Sequence, residues 1–103
     1  MITVEKTKLD GVLLIKPNAF EDFRGHYVEL YNKELYAKHG ITIDFIQDDI
    51  SMSRKHVLRG IHGDHKTWKL VSCVFGTFYL VVVNCDESSP QFGKWEAFTL
   101  SDQ

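Results

Sequence analysis

The chain of 103 residues predicts a mainly β fold, a sandwich or open barrel of antiparallel strands with one short helix near its front. Three features predict it. From Ile41 onward, runs rich in Val, Ile, Phe and Tyr follow one another at strand length. Gly, Asn, Asp, Ser and Pro cluster between those runs and read as turns. Only Asn32 to Gly40 carries the end signals of a helix.

Taken in order, Leu13 to Ile15 reads as a short strand closed by the turn-forming Lys16-Pro17-Asn18, and Tyr27 to Tyr31 as a second extended piece. A loop rich in Phe, Asp, Arg and Gly lies between them. Asn32 is suited to cap a helix running to about His39, where Gly40 stops it. Further strands are expected at Ile43 to Ser53, Val57 to His62, Trp68 to Phe75, Thr77 to Cys85 and Lys94 to Leu100, with Gly76 turning the middle pair into a tight hairpin. Within Phe78 to Asn84, Phe78, Leu80, Val82 and Asn84 share one face while Tyr79, Val81 and Val83 share the other. Both faces are apolar, which predicts a central strand. Asn84 ends the first row with a polar group, and by composition it reads as a turn residue at a strand end. Residues 1–103 are expected to form a single domain, without repeats or low-complexity linkers.

Composition excludes several function classes. With 14 acidic and 12 basic side chains, a formal charge of -2 supplies no basic field for nucleic acid, so an anionic ligand must be held locally. Met1 to Asp10 lacks the apolar core of a signal peptide, and no run approaches membrane-spanning length. Cys73 and Cys85 lie in apolar, strand-like stretches and read as buried thiols of a reducing compartment. A soluble cytoplasmic protein is expected.

The densest polar cluster is Arg59-Gly60-Ile61-His62-Gly63-Asp64-His65-Lys66-Thr67-Trp68-Lys69. On a strand, His62 would point inward while Arg59 leans to the rim. Taken alone, such a histidine is more often a hydrogen-bonded core residue. The spacing His62-x-Asp64-x4-Lys69-x6-Gly76 is similar to the first cupin motif, whose metal-binding form has His-x-His, Glu and Gly at those intervals. Lys69 is a poor metal ligand and would repel a divalent cation. His62 with His65 leaves two histidines without a third ligand, so no metal is expected.

Five segments carry a wider resemblance: Phe20-Glu21-Asp22-Phe23-Arg24-Gly25-His26-Tyr27-Val28-Glu29, Gln47-Asp48-Asp49-Ile50-Ser51-Met52-Ser53, Val57-Leu58-Arg59-Gly60-Ile61-His62, Lys69-Leu70-Val71 and Ser89-Pro90-Gln91-Phe92-Gly93-Lys94-Trp95. In order and spacing they resemble the dTDP-4-dehydrorhamnose 3,5-epimerase family over nearly the whole chain. The short link Gly63 to Trp68 is similar to a branch acting on GDP-4-keto-6-deoxy-heptoses for capsular polysaccharide. The resemblance implies a cupin-type jelly roll, of which this chain would be the N-terminal part.

It also implies a chemistry. Protons beside the C4 ketone of a nucleotide-linked sugar are acidic because the carbanion delocalises onto the ketone oxygen, so inversion at C3 or C5 needs a base and an oxyanion partner, and no cofactor. The family's base carries over to His62, imidazole being the side-chain type suited to take and return a proton. Lys69 matches the position facing the enolate oxygen. Arg24, Gln47 and Arg59 match diphosphate contacts, for which a guanidinium fork suits paired oxygens. Phe20 and Glu29 match nucleoside contacts. Without the resemblance, Arg24 would read as a solvated loop charge, Phe20 as core and Lys69 as an ordinary strand-end lysine.

Two departures stand out. The family sets an aspartate beside its histidine where this chain has Asn84, which can orient an imidazole N–H but cannot stabilise imidazolium by charge. The family also continues past Gln103, and its reprotonating tyrosine lies in that continuation; Tyr27, Tyr31, Tyr36 and Tyr79 do not match it. The resemblance further implies a homodimer, with Met1 to Ile15 as a crossing arm, or association with the C-terminal remainder. The competing functions are a non-catalytic sugar-nucleotide-binding module and a metal-dependent cupin, the latter disfavoured by Lys69.

Overall fold

A computed structural model describes residues 1–103. It is mainly β with one short helix: β1 (Thr3–Lys6), β2 (Leu13–Lys16), β3 (Ala19–Asp22), β4 (Gly25–Val28), α1 (Lys33–Ala37), β5 (Thr77–Val83) and β6 (Trp95–Ser101). The strands pair as three antiparallel hairpins, β1 with β2, β3 with β4 and β5 with β6. Each uses adjacent strands, the pairings with the shortest loops to close.

The helix follows from its end residues. Asn32 is extended at φ -141°, and its Oδ1 accepts from the Leu35 N–H at 3.0 Å, satisfying a donor that the first turn cannot. Gly40 takes φ +83°, a left-handed value at the chain's exit from the helix. Tyr36 is fully buried, donates from its hydroxyl to Leu30 O at 2.9 Å, and meets Tyr31 edge-on at 5.0 Å between centroids. Burial, with smaller contributions from Glu29 and Tyr31, pushes the Tyr36 phenol above its ordinary value. Asn32→Ala should cost about 1 kcal/mol, the usual loss of a polar N-cap, while Asn32→Asp should retain most of it. Denaturant midpoints of the two variants measure this.

β5 and β6 lie close to their expected places. Register runs from Thr77↔Ser101 to Val83↔Trp95, and the Asn84 N–H and C=O continue the ladder to Lys94 O and Gly93 N. β5 has only β6 as a neighbour, so it is an edge and not a central strand. Gly76 does not turn a hairpin between Trp68–Phe75 and Thr77–Cys85. Instead its N–H donates to Asp102 Oδ2 and its C=O accepts from the Asp102 N–H, which clamps the end of the β5–β6 pair.

The strands expected at Ile43–Ser53, Val57–His62 and Trp68–Phe75 are absent; these residues run outside any ladder. A strand exists only through its partner's hydrogen bonds, and this stretch has no partner within the chain. In all, 29 backbone–backbone hydrogen bonds serve 103 residues, well below the ~0.7 per residue of a closed domain. Conversely β1 and β3, not expected, do form. Within Met1 to Lys16 the chain forms the β1–β2 hairpin, and in place of a strand over Tyr27–Tyr31 it forms β4, which ends at Val28.

Packing is correspondingly open. Ile2, Leu9 and Tyr36 are the only buried residues, whereas Leu58 is 92% and Phe75 89% exposed. The Cα radius of gyration is 15.1 Å, against ~13 Å for a compact chain of this length. Cys73 is half-buried, but Cys85 is exposed because it falls in the turn beyond β5, not within a strand. One long-range clasp joins two hairpins. Gln91 Oε1 accepts from the Asp10 N–H at 2.7 Å, its Nε2 donates to Lys8 O at 3.0 Å, and Glu96 Oε1 accepts from the Lys8 N–H at 2.9 Å.

Candidate functional site

The β3–β4 hairpin builds the best-defined part of the site. Phe20 stands opposite Tyr27, and the closing pair Asp22↔Gly25 leaves Phe23 and Arg24 as its loop. Gly25 sits at φ +130°, a conformation that a side chain at this turn would strain. Phe20, Glu21, Asp22, Arg24, Gly25, His26 and Tyr27 surround an open concavity of about 470 Å³. Two residues with expected ligand roles, Phe20 and Arg24, therefore share one wall.

Arg24 is held firmly for an exposed group. Its Nη2 donates to Asp22 Oδ2 at 2.6 Å and its Nε reaches Oδ2 at 3.1 Å and Oδ1 at 3.3 Å. Its guanidinium carbon stands 5.8 Å from the Phe23 ring centroid. The Arg24 side chain, with its own N–H, holds the Asp22 carboxyl below the usual carboxylate value, and Asp22 raises the guanidinium in return. Glu29 follows β4 and is half-buried, its N–H donating to Asn18 O at 3.0 Å.

Gln47, Arg59, His62 and Lys69 all lie on the unladdered stretch and are exposed. Gln47 Nε2 donates to Asp49 Oδ2 at 3.0 Å. Arg59 donates from Nε to Ser53 Oγ at 2.8 Å and from Nη2 to Met52 O at 3.0 Å. The His62 ring turns back on Gly60: a Cβ built at Gly60, which has φ +94°, would stand 3.3 Å from His62 Cδ2 and from His62 N. Asp64 organises the link beyond it. Its Oδ1 accepts from the Lys66 and Thr67 N–H groups at 2.8 and 2.7 Å, and its Oδ2 from the Thr67 hydroxyl at 2.8 Å. Those donors, the Lys66 N–H first, lower the Asp64 carboxyl, with a smaller pull from the Lys69 ammonium.

Asn84 is half-buried at the end of β5, and its side chain serves its own turn: Oδ1 accepts from the Asp86 N–H at 2.8 Å and Nδ2 donates to Ser89 Oγ at 3.2 Å. The Asp86 carboxyl is lowered first by the Ser88 hydroxyl and N–H, with a last, small pull from His65. The structure thus gathers Phe20 with Arg24 on one concavity. It draws no hydrogen bond among His62, Lys69 and Asn84. No three His, Cys, Asp or Glu side chains converge as metal ligands. Asp22, Asp49 and Ser53, which hold Arg24, Gln47 and Arg59, carry no role in the sequence patterns above; the one signal for Asp22 is an acid two residues before an arginine that a glycine follows.

The mainly β chain with its one short helix shares the cupin-type fold of the solved structures it matches. Against the Bacillus anthracis dTDP-4-dehydrorhamnose 3,5-epimerase, crystallised with TDP and PPi bound, the TM-score is 0.87 at 30% identity, covering 99% of this chain and 61% of that one. Against the Legionella pneumophila dTDP-6-deoxy-D-glucose-3,5-epimerase in complex with dTDP-4-keto-L-rhamnose it is 0.84 at 31% identity, covering 99% and 56%. The profile of the family described as dTDP-4-dehydrorhamnose 3,5-epimerase matches residues 6–103, and the chain belongs to that family. The Salmonella typhimurium dTDP-4-dehydrorhamnose 3,5-epimerase is 39% identical over 105 residues, covering 98% of this chain and 57% of that protein. The Methanothermobacter thermautotrophicus one is 36% identical over 100 residues, covering 95% and 54%. The chain therefore spans little more than half the length of these relatives. No helix is long and apolar enough to cross a membrane.

Proposed function

We propose that the protein takes part in 3,5-epimerisation of a nucleotide-linked 4-keto-6-deoxy sugar. The observation that carries this reading is the family match over residues 6–103. His62 takes a proton from the carbon beside the ketone, the electron pair passes to the ketone oxygen, and the Lys69 ammonium faces the resulting enolate. An acid on the opposite face returns a proton and inverts the centre. Arg24, Gln47 and Arg59 hold the diphosphate, while Phe20 and Glu29 contact the nucleoside. The short link Gly63 to Trp68 favours a GDP-linked 4-keto-6-deoxy-heptose and a role in capsular or lipopolysaccharide synthesis. Solvent deuterium at C3 or C5 of the 4-keto sugar nucleotide tests the reaction, and GDP against dTDP affinity tests the base. Nucleotide binding without any exchange would leave a binding module.

Asn84 is the proposed partner that orients His62. Asn84→Asp would set a carboxylate beside the ring, which favours the protonated imidazole. The base is then neutral only at higher pH, so the acid limb of the pH–rate profile for exchange moves upward. A limb that stays in place would separate Asn84 from His62 and leave it the turn role its hydrogen bonds already give.

The exposed apolar stretch from Ile46 to Phe75 supports association, either with a second copy or with the further chain length that relatives possess. Sedimentation velocity of the 103-residue chain is expected to show dimers or larger species; a stable monomer with full epimerase activity would overturn this.

A further inference from the structure

We propose that Asp22 is a positioning residue for Arg24, fixing the guanidinium by one edge so that its opposite edge is presented to a diphosphate. The proposal rests on the sugar-nucleotide reading of the site. Asp22 is itself anchored before it meets the arginine, since its Oδ1 accepts from the Arg24 backbone N–H at 2.9 Å in the hairpin turn. That anchored carboxylate then engages Nε and Nη2 together. A guanidinium has five N–H donors in a rigid fork. With the Nε–H and one Nη2–H occupied, two of the three remaining donors form the outer Nη1–Nη2 edge, the geometry that matches paired phosphate oxygens.

Arg59 repeats the arrangement with different chemistry. Its Nε and Nη2 are taken by Ser53 Oγ and Met52 O, which leaves the same outer edge free. Gln47 is likewise held by Asp49. Three side chains with an expected diphosphate role are thus each secured by a neighbour a few residues away. Asp22 is the informative case because its effect on an anion has two opposing parts. Its charge repels the ligand, while its hydrogen bonds remove the rotamer freedom that a long, exposed arginine would otherwise lose on binding. Positioning and repulsion predict opposite signs.

Calorimetric titration of the whole chain with GDP, dTDP and inorganic pyrophosphate decides between them. If Asp22 positions Arg24, Asp22→Ala weakens binding about threefold to fivefold, the scale of one exposed ion pair, although it removes a negative charge. Asp22→Asn, which keeps the acceptor oxygen, restores most of the affinity. In an Arg24→Ala background Asp22→Ala produces no further weakening, because the two residues act as one unit. Proton NMR supplies a readout without ligand: the Arg24 Nε–H signal exchanges slowly in the wild type and is lost in Asp22→Ala, while the Gly25 amide keeps its shift. Tighter or unchanged binding in Asp22→Ala, with wild-type binding intact, overturns the proposal alone. Failure of the wild type to bind all three probes overturns the sugar-nucleotide reading and the proposal with it.

Discussion

Replacing His62 with Asn is expected to cut solvent deuterium incorporation at C3 and C5 of the 4-keto sugar nucleotide by roughly 10²–10⁴-fold, the contribution of a positioned general base. Nucleotide affinity should barely change. Asparagine approximates the width of the ring and can hydrogen-bond, but it does not accept a proton near neutrality. His62 is exposed and makes no hydrogen bond within the chain, so its loss leaves no buried group unsatisfied and the variant should fold as the wild type does. Exchange at the wild-type rate would remove His62 from the mechanism. The neighbouring His65, by contrast, should tolerate the same substitution with exchange intact.

The second large effect is expected at the two arginines. Arg59→Ala and Arg24→Ala should each weaken binding of GDP or dTDP by roughly tenfold to a hundredfold, as loss of hydrogen bonds to a charged group does. Salt should matter as well: if each guanidinium meets phosphate, the wild type loses affinity with rising ionic strength more steeply than either variant. Unchanged affinity in both variants would remove the diphosphate site from this face of the protein. Lysine at either position should recover only part of the affinity, because a point charge lacks the planar fork.

The parts of the fold legible in the sequence are those whose cause is local. Asn32 and Gly40 bracket α1 because a cap and a left-handed exit are properties of single residues. β5 and β6 lie within about two residues of expectation, since their β-branched and aromatic runs are long and meet across one connection. Ile43–Ser53, Val57–His62 and Trp68–Phe75 carry equally strand-like residues without forming strands. A residue run encodes the preference for a pleated surface but not the neighbour that supplies its hydrogen bonds. β1 and β3 escaped notice for the reverse reason. Thr3–Lys6 and Ala19–Asp22 are short and rich in charge, as edge strands often are, and their partners rather than their composition make them strands.

The candidate site divides in the same way. Phe20 and Arg24 were named separately, through the family resemblance, and the β3–β4 turn that sets them on one concavity is what the structure adds. The relation of His62 to Lys69 and Asn84 depends on sheet pairing across the unladdered stretch, so the family resemblance named the residues without fixing their mutual approach. Asp22 has no signature of its own in the sequence, because its grip on Arg24 depends on the turn that brings the two side chains together. Its value lies in where it points Arg24.

The Gln91 and Glu96 clasp also sets an order of events during synthesis. Its three hydrogen bonds join residues 81, 83 and 88 positions apart, so the β1–β2 hairpin is made long before its acceptors and donors exist. At ~5–20 residues per second, the ribosome extends the chain for roughly 4–18 s before Gln91 and Glu96 emerge. During that interval the hairpin at the amino terminus is a nascent segment with nowhere to dock. Until then the N–H and C=O of Lys8 and the N–H of Asp10 are left to water.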